Sequence, residues 1–242
     1  MMRKIYIWGL LLLTACGSPP RATTVQNTVL IRIAVTPALR PMAEKLHTCG
    51  MLFPDTGVAI DETSSRLIDY NSIDLAIKVG DNPGADFAYK LGDIRIKIIV
   101  NQDNPKSSIT TDQLRKIYVG KIKTWSEIGG LPEPIQVWNY TEEDDIRLIL
   151  DRVMLDYERL SPQALIASDP QAMLEAIEQD PSAIGFVPQI WMKQTTDNNR
   201  VHFLEVDPQL AALLKQPILA LSETEPVGIL RQYLGCMQSA SK

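Results

Sequence analysis

Apolar residues along this chain recur at two periods, and the alternation between the periods predicts an α/β protein. Residues 29–36, VLIRIAVT, alternate in polarity and are rich in Ile and Val, which predicts a strand. A helix is expected over 36–47, with Arg40-Pro41 near its start and Met42, Ala43 and Leu46 facing inward. Strands are expected at 57–61 and 74–79, with a helical turn over 64–70 between them. Strand, helix, strand, helix, strand is the order of a small parallel sheet. The chain would then leave that sheet at Thr36 and Lys78 on one edge, where open α/β sheets bind ligands. An apolar strand at 94–101 leads away from this unit.

The next stretch, 104–130, carries the most local information. Thr110 precedes Gln113 by three residues, and Ile109 and Leu114 flank them, so a capping box and a hydrophobic staple start a helix at Thr111. Leu114, Ile117 and Tyr118 make its apolar face, Gly120 ends it in a left-handed conformation, and Trp125 folds back on that face. A strand follows at 134–140, then a helix at 141–155 with Ile146, Ile149, Leu150 and Val153 on one side. Asp169-Pro170 opens another helix, Asp169 as cap and Pro170 at the first helical position. Strands are expected at 201–206 and 217–221, both grouped with the first unit, and a helix at 223–238.

Asn104-Pro105, Ile109-Thr110 with Asp112-Gln113-Leu114, Ile117-Tyr118 with Gly120-Lys121-Ile122 and Trp125, and Ile128-Gly129-Gly130 stand in an order and spacing that resembles the second lobe of phosphate-binding proteins serving Pst-type ABC transporters. Ala183-Ile184-Gly185-Phe186-Val187 resembles the segment that returns the chain to the first lobe. The resemblance implies a two-lobed, periplasmic-binding-protein-like (type II) α/β fold, the second lobe inserted in the first, closing on a ligand by hinge motion. The implied division is 28–100 with 197–242 for lobe one and 101–196 for lobe two. It also implies a small-molecule ligand, anionic or not, and an ABC permease as partner; a monomer without a cofactor is expected, and since nothing in the sequence places a nucleophile, a base and an orienting group together, no enzymatic activity is expected. An alternative within the same fold is a sensory or interaction lipoprotein that has lost phosphate binding.

Residues 1–16 change the picture of location. Arg3 and Lys4 precede an apolar run and then Leu13-Thr14-Ala15-Cys16, which predicts a lipoprotein signal over 1–15, a lipid on Cys16 and a Ser/Pro/Thr-rich tether over 16–27. The chain would then be extracytoplasmic and held at the membrane by this anchor. Its formal net charge is −5, and loss of Arg3 and Lys4 makes that two units more negative, which argues against a nucleic-acid partner. Cys49 and Cys236 are then the remaining thiols, compatible with a disulfide or with two free cysteines. With His47 and His202 the only histidines and no cysteine-rich spacing, a metal site is not expected.

In the resembled family, an oxyanion is held by hydroxyls and N–H groups after the first strand, by an acid after a later strand, and by an Arg and a Ser-Gly-Thr-Arg run at a helix start in lobe two. Here the first loop reads Thr36-Pro37-Ala38-Leu39, so Thr36, Ala38 and Leu39 are the candidates, with a single hydroxyl among them. Gly80 and Asp81 occupy the second loop, Asp81 being either the ligand acid or a solvated turn aspartate. In lobe two Tyr140 stands at the Arg, Asp144, Asp145 and Ile146 at Ser-Gly-Thr, and Arg147 in register with the final Arg; Tyr140, Thr141 and Arg147 complete the candidate set. Arg147 either reaches the cleft or pairs with Glu143 on the surface. Glu142 to Asp145 place carboxylates at the helix start, where a multivalent oxyanion would meet like charge. Trp138, Tyr140 and Trp191 either stack on an organic ligand or belong to the core.

Overall fold

The structure is a computed structural model, and it describes residues 28–81, 84–193 and 200–239. The proposed signal, Cys16 and the whole of the tether lie outside the described residues. The first unit contains β1 (Val29–Val35), α1 (Ala43–Gly50), β2 (Thr56–Glu62) and β3 (Leu75–Val79), with β1 parallel to both β2 and β3. All five residues of β3 are buried, as expected for a strand covered on both faces. The helix expected over 36–47 is split. Pro37–Met42 is a tight 3-10 segment containing Pro41, and the α-helix starts only at Ala43. Proline inside a helix removes an N–H donor, which limits regular hydrogen bonding there. The expected turn over 64–70 becomes two 3-10 turns, Ser65–Leu67 and Tyr70–Ser72.

β4 (Phe87–Asn101) is much longer than the expected strand and is shared by the two halves of the molecule. Its first part pairs antiparallel with β9 (Lys215–Ser222), which also pairs with β3. Its second part pairs antiparallel with β7 (Ala183–Pro188). β7 in turn runs parallel to β5 (Gln136–Tyr140), which pairs with β6 (Leu165–Ala167), giving the sheet order β2-β1-β3-β9-β4-β7-β5-β6. The outcome is a two-lobed α/β fold of the type II periplasmic-binding-protein kind, lobe two inserted in lobe one. β8 (Val201–Phe203) pairs antiparallel with Ile99–Asn101 at the end of β4, beyond the stretch that pairs with β9. The reason is available backbone: β9 pairs with β4 only as far as Arg95, so the residues beyond it need other partners.

Lobe two is built as its capping signals require. Thr110 accepts from the Gln113 N–H at 3.2 Å and Gln113 accepts from the Thr110 N–H at 3.1 Å, so α2 (Thr111–Tyr118) starts where expected. Leu114, Ile117 and Tyr118 are fully buried, a contribution of about 1.5–3 kcal/mol for a large apolar side chain, and Gly120 takes φ 77° at the helix end. Trp125 is buried and donates from Nε1 to the Ser182 carbonyl at 2.9 Å, tying this segment to the start of β7. α4 (Pro170–Gln179) is capped by Asp169, which accepts from the Ala172 N–H at 2.9 Å.

The helix expected over 141–155 is shorter, α3 (Asp145–Val153). Asp144 caps it by accepting from the N–H groups of Ile146 and Arg147 at 2.8 and 3.3 Å. Just beyond it, Asp156 and Tyr157 both adopt positive φ, a backbone conformation in which no helix continues. In lobe one, α5 (Pro208–Leu213) precedes β9, and α6 (Gly228–Ser239) closes the described chain and packs on α1. Cys49 and Cys236 join these two helices in a disulfide with Cα atoms 5.9 Å apart, and the Tyr233 hydroxyl donates to the Leu46 carbonyl at 2.8 Å beside it.

Candidate functional site

The parallel pairing of β1 and β3 brings their C-terminal ends together. The Thr36 N–H donates to the Ile77 carbonyl at 3.0 Å, which sets Thr36 beside Lys78 and Val79. From lobe two, β5 ends at Tyr140 and a short turn delivers the N-terminus of α3 to the same place. Here the lobes meet through one carboxylate. Asp145 Oδ2 accepts from the Thr36 hydroxyl at 2.7 Å and from the Val79 N–H at 2.8 Å. Asp145 is 1% exposed, and its other oxygen, Oδ1, is buried without a hydrogen-bond partner.

The electrostatics follow from burial. Lys78 is 5% exposed; desolvation lowers its pKa, and the Asp145 charge acts in the opposite direction. Burial raises the Asp145 carboxyl, and the Val79 N–H, the Thr36 hydroxyl and Lys78 offset part of that rise. Asp144, buried beside it, is pushed up to about 8 by desolvation and then by repulsion from Asp145, against the pull of the Arg147 and Ile146 N–H groups. Two adjacent buried carboxyls cannot both ionise cheaply, which pushes both upward from the ordinary carboxylate range.

Other contacts close the cleft around this pair. The Arg66 N–H donates to the Glu143 carbonyl at 3.2 Å, and Asp81 pairs with Arg152 of α3. Arg40 binds Glu62 at 2.5 Å, reaches across to Asp169 at 3.1 Å, and lies over the Trp191 ring. Trp191 donates from Nε1 to the Ala38 carbonyl at 2.9 Å. The space left between the lobes near Asp145 is a cavity of about 150 Å³, lined among others by Lys78, Val79, Asp81 and Ile149.

The candidate residues fall into separate places. Thr36 and Asp81 border the interlobe contact, and Gly80 supports it from φ 90°, a Cβ there lying 3.1 Å from Ile149 Cδ1. Ala38 and Leu39 are buried in the lobe-one core, Ala38 contributing only its carbonyl. Tyr140, Thr141 and Arg147 instead line a different recess of about 650 Å³ on lobe two, together with Glu142, Glu158 and Arg159. The Tyr140 ring is buried and its hydroxyl donates to the Phe186 carbonyl at 2.8 Å.

Arg147 is 6% exposed and pairs with Asp151 at 2.6 Å, so the surface pair with Glu143 does not form. The register of the helix explains this: Glu143 precedes the cap and has no helical position four residues before Arg147. Trp191 belongs to the core, and Trp138 is half-buried against it. Sequence reasoning placed Asp144 and Asp145 at the anion-binding helix start as charges that repel an oxyanion, and missed that Asp145 itself takes the Thr36 and Val79 donors of lobe one. The signal was there, since both stand in register with residues that hold the oxyanion in the resembled family. Among the described residues, no group of three or more His, Cys, Asp or Glu is arranged to hold a metal ion.

A fold with two lobes meeting at strand ends and a helix N-terminus is that of the periplasmic-binding-protein superfamily. A family model described as a PBP superfamily domain matches residues 91–216, and the chain belongs to that family. It is 26% identical over 196 residues to the phosphate-binding protein PstS of Bacillus subtilis, a match covering 76% of this chain and 63% of that protein. A candidate phosphate ABC transporter substrate-binding protein with bound phosphate from Clostridium perfringens superposes with TM-score 0.74 at 17% identity, covering 86% of this chain and 92% of the other. The regulatory domain of CcmR from Synechocystis, in complex with 2-PG, superposes with TM-score 0.68 at 16% identity over 88% and 97% of the two chains. The fold is thus shared by a transport-type protein and a regulatory domain. It does not choose between them.

Proposed function

We propose that this chain is an extracytoplasmic lipoprotein of the phosphate-type binding-protein class that no longer takes phosphate between its lobes and serves at the membrane surface as an interaction or sensory module. One observation carries the reading: Asp145 accepts the hydroxyl and N–H donors of lobe one that would otherwise face a free anion. A phosphate entering there would displace Asp145 and set its own charge beside two buried carboxyls whose ionisation that setting already disfavours. The lobe limits at 28–100 with 197–242 and 101–196, the monomeric state and the lipid on Cys16 are parts of the same proposal. The anchor rests on Leu13-Thr14-Ala15-Cys16 following an apolar run.

A transport receptor docking on an ABC permease is the second reading, favoured by the likeness to the Bacillus subtilis protein. Calorimetric titration of the full chain in detergent with inorganic phosphate tests the choice. The proposal expects no heat of binding and no rise in Tm. Saturable phosphate binding by the unaltered protein would return it to the receptor reading. For the anchor, loss of labelled fatty acid incorporation in Cys16→Ser is the expected result.

A further inference from the structure

We propose that Asp145 is a tethered ligand: its carboxylate sits in a small-carboxylate site formed by the Thr36 hydroxyl and the Val79 N–H, in a cavity that Lys78 also lines, and so holds the lobes closed without any solute. The inference rests on the two-lobed binding-protein reading above and names what fills its cleft. Three features support it. The contact is long-range, with both donors on lobe one and the acceptor on lobe two. One carboxylate oxygen takes both donors, which is how a bound carboxylate or other oxyanion is held by N–H and O–H groups. The acceptor, the Thr36 hydroxyl and the Lys78 side chain are all nearly inaccessible to water, so the pairing is shielded from solvent.

The size and charge of the seat define what could replace the tethered group. Truncating Asp145 at Cβ removes one carboxylate, a formate-sized piece, beside a cavity of about 150 Å³. Lys78 and Arg152 are the cations lining that cavity, and Arg152 is already paired with Asp81. With the Asp144 carboxyl buried next door, a monoanion replaces like for like, whereas a phosphate dianion adds charge. Formate and acetate are therefore the fitting probes, with phosphate as the contrast.

The experiment compares the full wild-type chain with Asp145→Ala, Asp145→Asn and Thr36→Val/Asp145→Ala. It measures thermal unfolding and the small-angle X-ray radius of gyration, in formate, acetate, phosphate or chloride at equal ionic strength. Wild type is expected to be compact and indifferent to formate. Asp145→Ala is expected to expand and melt lower in chloride, and to regain compactness and about 5 °C or more of Tm in saturating formate. Asp145→Asn keeps the bulk and fills the seat, so it gains nothing from formate; the double variant lacks a donor and loses the rescue. An Asp145→Ala protein with wild-type dimensions, or one expanded but unmoved by formate and acetate, overturns the inference. Should that variant not fold, Thr36→Val alone is measured: expansion supports the tether, and unchanged dimensions refute it. Wild-type phosphate binding would instead defeat the functional reading itself, so the two failures are distinguishable.

Discussion

Replacing Asp144 by Asn isolates the cost of burying two neighbouring carboxyls in the cleft. The asparagine keeps an oxygen to cap α3 through the Ile146 and Arg147 N–H groups, so the helix start is preserved while the titrating group is lost. In the folded chain, burial and then Asp145 push the Asp144 carboxyl from its ordinary 3.8 up to about 8. Between those values the folded state holds a proton that the unfolded chain has released. Stability therefore falls as pH rises through this window, by up to about 1.4 kcal/mol per pH unit for one group. From about pH 5 to about pH 8 the wild-type loss is at most about 4 kcal/mol on this basis. The depressed carboxyls, among them Asp169 and Asp207, act oppositely, and their contribution disappears only as pH falls below the ordinary carboxylate range. Urea unfolding of wild type and Asp144→Asn across this pH range is the assay. The expected result is a wild-type optimum on the acidic side of neutrality and a flatter profile for the variant, which gains most at the alkaline end. A wild-type protein more stable at about pH 8 than at about pH 5, or a variant with the wild-type slope, would refute the reasoning.

The remaining predictions concern the frame that holds the site. Reducing the Cys49–Cys236 bridge, or replacing both cysteines by serine, releases a cross-link spanning 187 residues and should lower stability by up to about 5 kcal/mol, read from denaturant midpoints. Gly80→Ala forces a side chain into φ 90° and against Ile149, and should cost about 1–3 kcal/mol. Radius of gyration checks whether the lobes part as well. Thr110→Ala removes half of the capping box of α2 and should cost about 1 kcal/mol, with the far-UV spectrum otherwise retained.

What the sequence alone determined here is local. Thr110 with Gln113, Asp169 with Pro170, and Gly120 set helix ends through groups within a few residues of one another, so their chemistry is readable in order along the chain. The period of the apolar residues placed most strands and the inner face of α2, because one-sided burial imprints that period. Short elements such as β6 and α5 escaped it, being too brief to show a period at all. Tertiary structure decided the rest. Arg147 chose Asp151 over Glu143 once α3 began at Asp145, a shift of a few residues that propensity does not resolve. β8 took the free part of β4 because of where β9 stops, which is a fact about two other strands. The identity of the site depended most on distance in sequence. Thr36 and Asp145 are 109 residues apart, and only the closure of one lobe on the other turns an ordinary helix-start aspartate into the acceptor at the centre of the cleft.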